Sequence, residues 1–373
     1  MVLLIGNYPL DRQHSMQRFT TMMLQGLVAA GVSAGVAAPA PVLGKLFGGD
    51  SFAGKWLAYI DKFVLFPRQL RKRFTHPADV VHICDHSNAM YGTAAGKTPV
   101  VVTCHDLIAV RSALGEELNC PVSFTGRLLQ RWILTSLRRA DVVVCVSGAT
   151  RDDAEQLVSR NLPSPKLETI SNGLNYPYQQ IPEAEARARL KNIPGLTQPF
   201  VLHVGSNLPR KNRVAVLRIF AGTKDKWDAR LVFAGDVLDS EQRSLANRLG
   251  ITDRIVQIKD APDYLLEGLY NCALTLLFPS LSEGFGWPII EAQACGCPVV
   301  CSNIAPLPET AGAAGLFRDA TDEAGFAADI LRLRDPVERA AWSEKGLRNA
   351  QRFSAEKMIA RYIDVYRTLG AQL

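Results

Sequence analysis

Two glutamates eight positions apart, Glu283 and Glu291, enclose the run Gly284-Phe285-Gly286-Trp287-Pro288. A carboxylate accepts hydrogen bonds from two neighbouring O–H donors, which suits the hydroxyls of a sugar or ribose. The glycines let a ligand approach the backbone closely, and Pro288 fits the first turn of a helix predicted to run to about Cys295. Free N–H groups at that helix start, helped by its dipole, favour a diphosphate without needing a cationic side chain. A glutamate in such a place is often only a helix cap; the surrounding glycines turn the reading toward a ligand.

Three further sets of residues carry possible chemistry. Gly205 and Ser206 follow an apolar run, and Arg210 and Lys211 stand at a predicted helix start, where two cations would neutralise a leaving diphosphate. Val100 to Cys104 lead into His105-Asp106-Leu107, which puts His105 where a parallel strand reaches its ligand edge and Asp106 beside it. The loop after the opening strand reaches Ser15-Met16; Ser15 is placed to cap the next helix and offer a hydroxyl, while Met16 restricts approach. His82, Asp85 and His86 cluster around Cys84. His82 and Cys84 share one strand face and Asp85 lies beyond it, so a polar lining on the acceptor side is the expectation rather than a shared metal.

These residues need a scaffold, and the pattern supplies one. Val/Ile/Leu-rich runs at 2–6, 33–38, 79–84, 99–104 and 141–146 alternate with helical stretches. The pattern restarts at 199–204, 230–234, 273–278 and 298–301. Such alternation predicts α/β architecture, two doubly wound parallel sheets each covered on both faces. A chain of 373 residues exceeds one ordinary core. The Asn172-Gly173 turn and the Pro- and Gln-bearing stretch to Pro182 mark the junction, followed by a helix over Glu183–Leu190. The expected domains are 1–180 on the acceptor side, 181–353 for the nucleotide, and a C-terminal helix over 354–373 that returns to the first domain. Ser147 reads either as a site position or as the N-cap of a helix over Gly148–Leu157.

Composition narrows the class. Apolar residues make up 47% and charged residues 21%, which excludes a disordered chain. No run of about 18 apolar residues is present and no signal peptide is expected, so the expected location is cytoplasmic. The eight cysteines lack paired metal spacing and read as buried thiols. The net charge of +6 is concentrated early: residues 1–180 hold 18 Lys+Arg against 13 Asp+Glu, and 181–373 hold 24 against 23. Within the basic half, Phe63, Phe66 and Phe74 are mixed with Arg68, Arg71, Lys72 and Arg73. This is either a solvated helix face or a peripheral patch for an anionic membrane or lipid-diphosphate acceptor. No nucleic-acid reading module accompanies it.

The run SEGFGWPIIEAQACGCPVV resembles the C-terminal motif of retaining glycosyltransferases of family four, with its E-x7-E spacing. The resemblance covers nearly the whole chain and is strongest over 199–318. It implies the GT-B fold, two Rossmann-like domains facing across a cleft. It implies that Glu283 contacts the donor sugar, that the backbone from Gly284 through Phe285 and Gly286 holds the diphosphate, and that Glu291 binds the ribose hydroxyls. By the same resemblance Arg210 and Lys211, in a PRKN variant, grip the donor phosphates, and His105 orients sugar hydroxyls. Two positions depart from the family: Ser206 stands where others have arginine, and Ser15-Met16 where many have consecutive glycines.

The implied activity is hexosyl transfer from a nucleotide sugar, GDP- or UDP-linked with a lean to GDP-mannose, onto a glycan or lipid-linked acceptor in cell-surface polysaccharide or glycolipid synthesis. Base recognition is expected near Lys259–Leu265. No cofactor and no metal are called for: the chain has no Asp-x-Asp, the pairing by which the other large transferase architecture holds a cation. A nucleotide-sugar epimerase and an inactive nucleotide-sugar-binding module of the same fold remain alternatives; a phosphorylase lacks an identifiable pyridoxal lysine and would be much longer.

Overall fold

The structure, a computed structural model, describes residues 1–11, 13–46, 52–73, 78–116, 118, 120–159 and 164–373. The chain forms two compact units. The first comprises Met1–Gly115, Val122–Asn175 and Ala355–Leu373, and the second Glu116–Pro121 and Tyr176–Ser354.

The first unit is built on strands β1 (Val2–Ile5), β2 (Ala34–Ala37), β3 (Val80–Ile83), β4 (Val100–Cys104), β5 (Val142–Cys145) and β6 (Lys166–Thr169). They lie in the order β2-β1-β3-β4-β5-β6, and every pairing is parallel. The central strands are buried along their whole length because helices cover both faces, so they read as unbroken apolar runs. The chain reverses direction across the sheet between β1 and β3, and their carboxyl ends open a crevice there.

The C-terminal helix Ala355–Thr368 completes this unit. Its buried Tyr362 and Tyr366 reach into the sheet: the Tyr362 hydroxyl lies 2.8 Å from Thr103 Oγ1, and that of Tyr366 lies 2.7 Å from His82 Nδ1. It also lies close against the His14–Ala29 helix, where a side chain at Gly26 would run into Ile359.

The second unit uses β7 (Phe200–Gly205), β8 (Arg230–Gly235), β9 (Ile255–Ile258), β10 (Thr275–Phe278), β11 (Val299–Ser302) and β12 (Gly315–Arg318), in the order β12-β11-β10-β7-β8-β9 and again parallel throughout. Its reversal lies between β7 and β10. Phe220, Phe233, Leu277 and Phe326 sit in its core.

Three strands escape the sequence pattern: β6, β9 and β12. All are sheet edges with largely half-buried side chains, so their composition is mixed (KLET, IVQI, GLFR) and carries no continuous apolar run. All eight cysteines are free thiols.

Candidate active site

At the reversal of the second sheet, loops leaving β7 and β10 are fastened together. Lys211 donates to Glu283 Oε1 at 2.6 Å and Arg210 to Glu283 Oε2 at 2.9 Å, with a second Arg210 contact to the Ser282 carbonyl at 3.2 Å. The backbone adds Leu281 N–H to the Arg210 carbonyl at 2.7 Å, and the Asn212 amide donates to the Pro279 carbonyl at 3.0 Å. Asn212 adopts a left-handed conformation, which asparagine tolerates, and this turns the chain into the Arg213–Ala221 helix.

The Glu283 carboxylate is almost wholly buried. Burial alone would raise its pKa, but the charges of Lys211 and Arg210 outweigh that and hold it below the usual carboxylate range. Lys211 is buried too, its ammonium 4.8 Å from the centroid of the Phe278 ring. The two cations therefore grip Glu283 itself rather than standing opposite it across a gap.

Glu283 also begins the loop that enters the Trp287–Ala294 helix. Gly286 caps that helix at φ 97°, and a side chain there would collide with Leu307. Phe285 points inward, edge-on to Phe353 with centroids 5.7 Å apart, and its carbonyl accepts from Thr310 Oγ1 at 2.6 Å. These contacts pin the backbone of Gly284–Gly286 from beneath. Pro288 lies in the first turn, where its missing N–H costs nothing. Glu291, one turn further, is buried and accepts from the Tyr270 hydroxyl at 2.8 Å. Tyr270 comes from the Asp263–Cys272 helix, and its own pKa is pushed well up by burial and then by the Glu291 charge.

Motif reading missed the third loop of this edge. Arg213, directly after the PRKN run, is buried and donates to the Gly205 carbonyl at 2.6 Å and the Asp236 carbonyl at 2.7 Å, tying the ends of β7 and β8. Gly205 and Gly235 have φ of 151° and 135°. A side chain at Gly235 would strike the Gly205 carbonyl. Asn207 is held by Asp236 at its N–H, by Asp239 at its amide and by Gln242 at its oxygen, so Ser206 lies in a turn fixed on both sides. On the opposite flank, Lys259 follows β9, Asp260 has a left-handed φ of 50°, and Asp263 accepts from the Tyr178 hydroxyl at 3.1 Å.

In the first unit, His105 ends β4 and its Nε2 lies 2.9 Å from the Cys84 carbonyl. A carbonyl only accepts, so Nε2 carries the proton and Nδ1 is the ring's acceptor. Burial lowers the pKa of His105, with Asp85 pulling the other way, and Phe19 stands edge-on at 4.8 Å. Asp85 accepts from Asn7 Nδ2 at 2.6 Å and caps the turn at Ser87, and His86 Nδ1 lies 3.3 Å from it. Burial would raise the Asp85 pKa, but His86 and His105 bring it below the ordinary value. The Asn7–Asp85 bond joins the loops after β1 and β3, at this sheet's own reversal. Asp106 turns back to accept from Ile108 N–H at 3.1 Å.

Two expectations are corrected here, and one open alternative is decided. His82 has no exposed surface: Thr103 and Tyr366 take its two ring nitrogens, and it lines no binding face. The reason is position, since a mid-strand side chain under the C-terminal helix faces the core. Ser15 does not cap its helix, because the helix starts one residue earlier at His14 with Gln13 in the cap position, leaving Ser15 exposed in the first turn and Met16 half-buried. Ser147 is the N-cap of Gly148–Leu157, accepting from Thr150 N–H at 3.1 Å, and is wholly buried. Among the described residues no group of His, Cys, Asp and Glu is arranged to hold a metal ion.

Residues 186–348 match the family described as Glycosyl transferases group 1, and residues 16–176 match Glycosyltransferase Family 4. The chain belongs to the group 1 glycosyltransferases. The O-antigen chain mannosyltransferase B of Escherichia coli is 32% identical over 248 residues, a match spanning 65% of this glycosyltransferase and 65% of that relative's length. Among solved structures, sucrose-phosphate synthase from Thermosynechococcus elongatus superposes with a TM-score of 0.76 at 22% identity, covering 100% of this chain and 99% of that one. HepE of Anabaena, in complex with UDP and glucose, gives 0.73 at 16% identity, with 98% of each chain covered. These likenesses assign the glycosyltransferase to the two-domain Rossmann-like GT-B class.

Proposed function

We propose that the protein is a retaining hexosyltransferase that uses a nucleotide-diphosphate sugar, GDP-mannose or a UDP-sugar, and needs no metal. The observation that carries this reading is the buried Glu283 clamped by Lys211 and Arg210 at the head of the Trp287–Ala294 helix. Two cations share one carboxylate, so the cluster keeps a surplus positive charge beside the helix start. An incoming diphosphate would draw that charge toward itself, leaving Glu283 oxygens to accept from sugar hydroxyls. Glu291 is assigned to the ribose, the Gly205–Asn207 turn to the phosphates and His105 to the sugar.

In the reaction the bond between the anomeric carbon and the donor phosphate breaks as the acceptor oxygen bonds that carbon from the same face. The acceptor proton passes to the departing phosphate oxygen, so no protein nucleophile is required. Negative charge grows on the diphosphate, and cations and amide N–H groups already in place stabilise it more in the transition state than in the ground state. The mannosyltransferase relative supports mannose, and the neighbour bound to UDP and glucose supports a uridine donor. The first of these also supports synthesis of a cell-surface polysaccharide or glycolipid, and the reading extends to a glycan or lipid-linked acceptor met at the cytoplasmic surface of a membrane.

Thermal-shift measurements with GDP, UDP, GDP-mannose, UDP-glucose and UDP-N-acetylglucosamine, each with and without EDTA, test the donor. One nucleotide series should raise the melting temperature in both conditions, and turnover should release free nucleoside diphosphate. No shift with any nucleotide, or a sugar changed in configuration with no diphosphate released, would overturn the assignment.

A further inference from the structure

Helix Phe124–Leu137 buries Ile133, Leu134 and Leu137, as the helix of a folded unit must. Its other face is the anomaly. Phe124 is 76% exposed, Leu128 52% and Trp132 45%, and the spacing of four residues sets them in one row along the helix. The row continues onto another element. The Trp132 ring is 5.4 Å from Phe63, Phe63 is 5.6 Å from Tyr59, and Tyr59 is 5.9 Å from Trp56, with Trp56 and Tyr59 themselves 54% and 42% exposed. An apolar strip that crosses from one helix to another, with large aromatic rings at its centre, marks an interaction surface rather than scattered exposed residues.

The charge around the strip is predominantly positive. No Asp or Glu occurs from Lys62 through Ala78, where there are five Lys and Arg, nor from Leu118 through Ala140, where there are four. Arg127 and Arg131 alternate with the apolar row on the same exposed face, and Arg68, Arg71 and Lys72 are exposed on the neighbouring Phe66–Arg73 helix. Lys62, 5.2 Å from the Tyr59 ring centroid, is neutralised by Asp11 at 2.9 Å, so the arginines and Lys72 carry the charge of this face. Phe74 lies outside the described residues, and Phe66 is buried in the core, so the 63–74 run by itself supplies cations more than apolar contact.

We propose that this face rests on an anionic lipid bilayer, with Trp56, Tyr59, Phe124, Leu128 and Trp132 entering the interfacial layer and the arginines meeting lipid phosphates. Tryptophan and tyrosine favour that layer because they are apolar at one end and polar at the other. Phenylalanine and leucine need hydrocarbon beneath it. A second copy of the chain is disfavoured, since pairing two such faces would oppose cations with cations. The proposal deepens the reading of a membrane-borne acceptor and rests on it for its purpose, though its test does not depend on transfer.

The test floats the full-length protein with vesicles of phosphatidylcholine alone or mixed with phosphatidylglycerol. The wild type should float with the anionic vesicles and be released by salt. The combined Phe124→Ser, Leu128→Ser and Trp132→Ser variant should bind at least about tenfold more weakly, as should Arg127→Glu with Arg131→Glu. Val337→Ser, at an exposed apolar residue of the second unit, should bind like wild type. The melting temperature of the triple variant should stay within a few degrees of the wild type's, showing that it is folded. Wild type that does not float, a triple variant that floats equally, a dimer in sedimentation that the triple variant breaks, or binding to single-stranded nucleic acid in place of vesicles would each overturn the proposal. Flotation by a protein that turns over no donor would keep the surface and sink the transferase reading instead.

Discussion

At the scale of single residues, the distinction that matters is between a charge held for a ligand and a charge held for the fold. Glu283 was legible because its neighbours are glycines, and Arg210 and Lys211 because they follow a strand end. Their mutual ion pairs were not legible, since nothing in spacing says which way a side chain turns. The pairs sharpen what substitution does. On the proposed reading, Glu283→Gln keeps the shape but leaves Lys211 and Arg210 over-attracted to the donor phosphates and the sugar without its acceptor. Its kcat should fall by about a hundredfold or more, while the apparent affinity for nucleoside diphosphate holds or rises. Lys211→Ala should lower both. Steady-state release of nucleoside diphosphate and titration with the diphosphate alone separate the two patterns; equal loss of affinity in both variants would count against the clamp.

The histidines divide in the same way. His82 and His203 are wholly buried, with burial taking both pKa values from 6.5 to about 3. Between about 6.5 and about 3 the unfolded chain binds protons that the folded chain refuses, so stability falls as pH falls through that window. The slope is about 1.4 kcal/mol per pH unit for each such histidine. The carboxylates held low by their partners lose their contribution only below about pH 4, so histidines govern the milder range. Melting temperatures recorded from about pH 7 to pH 5 should drop, and His82→Gln or His203→Gln should flatten the drop even where it lowers the temperature overall. An unchanged slope in both variants would mean these imidazoles are protonated in the fold.

At the scale of elements, strands buried on both faces announce themselves as apolar runs, and edge strands mostly do not; β6, β9 and β12 were lost for that reason, while the edge strand β2 was caught within the apolar run 33–38. The candidate site sits where the parallel order reverses, and that order cannot be read from a run of valines because it depends on which strands pair. Arg213 belongs to this level. Nothing distinguishes it from a surface arginine until the Arg213–Ala221 helix is packed, and then it links β7 to β8 under the Gly205–Asn207 turn. Arg213→Met should weaken nucleoside diphosphate binding by about tenfold, the equivalent of one charge-assisted hydrogen bond of about 1.5 kcal/mol. Arg213→Lys should recover only part, because an ammonium on a flexible stem lacks the planar fork that spans two carbonyls. If nucleoside binding without phosphates falls equally in Arg213→Met, the residue supports the sheet generally and not the turn.

For the whole molecule, the repeated alternation of strands and helices made two parallel-sheet units readable, whereas their strand orders differ, with one strand beyond β1 in the first sheet and two beyond β7 in the second, and the final helix belongs to the first unit. What the sequence could not say is how that helix is held. Tyr362 and Tyr366 carry their hydroxyls into a wholly buried network with Thr103 and His82, and each ring is enclosed. The helix is therefore part of the first unit's core, although the whole Tyr176–Ser354 stretch of the second unit separates it from the rest of the first in the chain. Tyr366→Ala removes a buried ring and strands the His82 nitrogen, a loss of roughly 3–5 kcal/mol by comparison with other buried aromatics. Hydrogen exchange followed by mass spectrometry should show faster exchange across β1, β3 and β4, with β7, β8 and β10 protected as before. Nucleotide binding by the second unit should persist at temperatures where the first has opened. Equal loss of protection in both sheets would show instead that the units unfold as one.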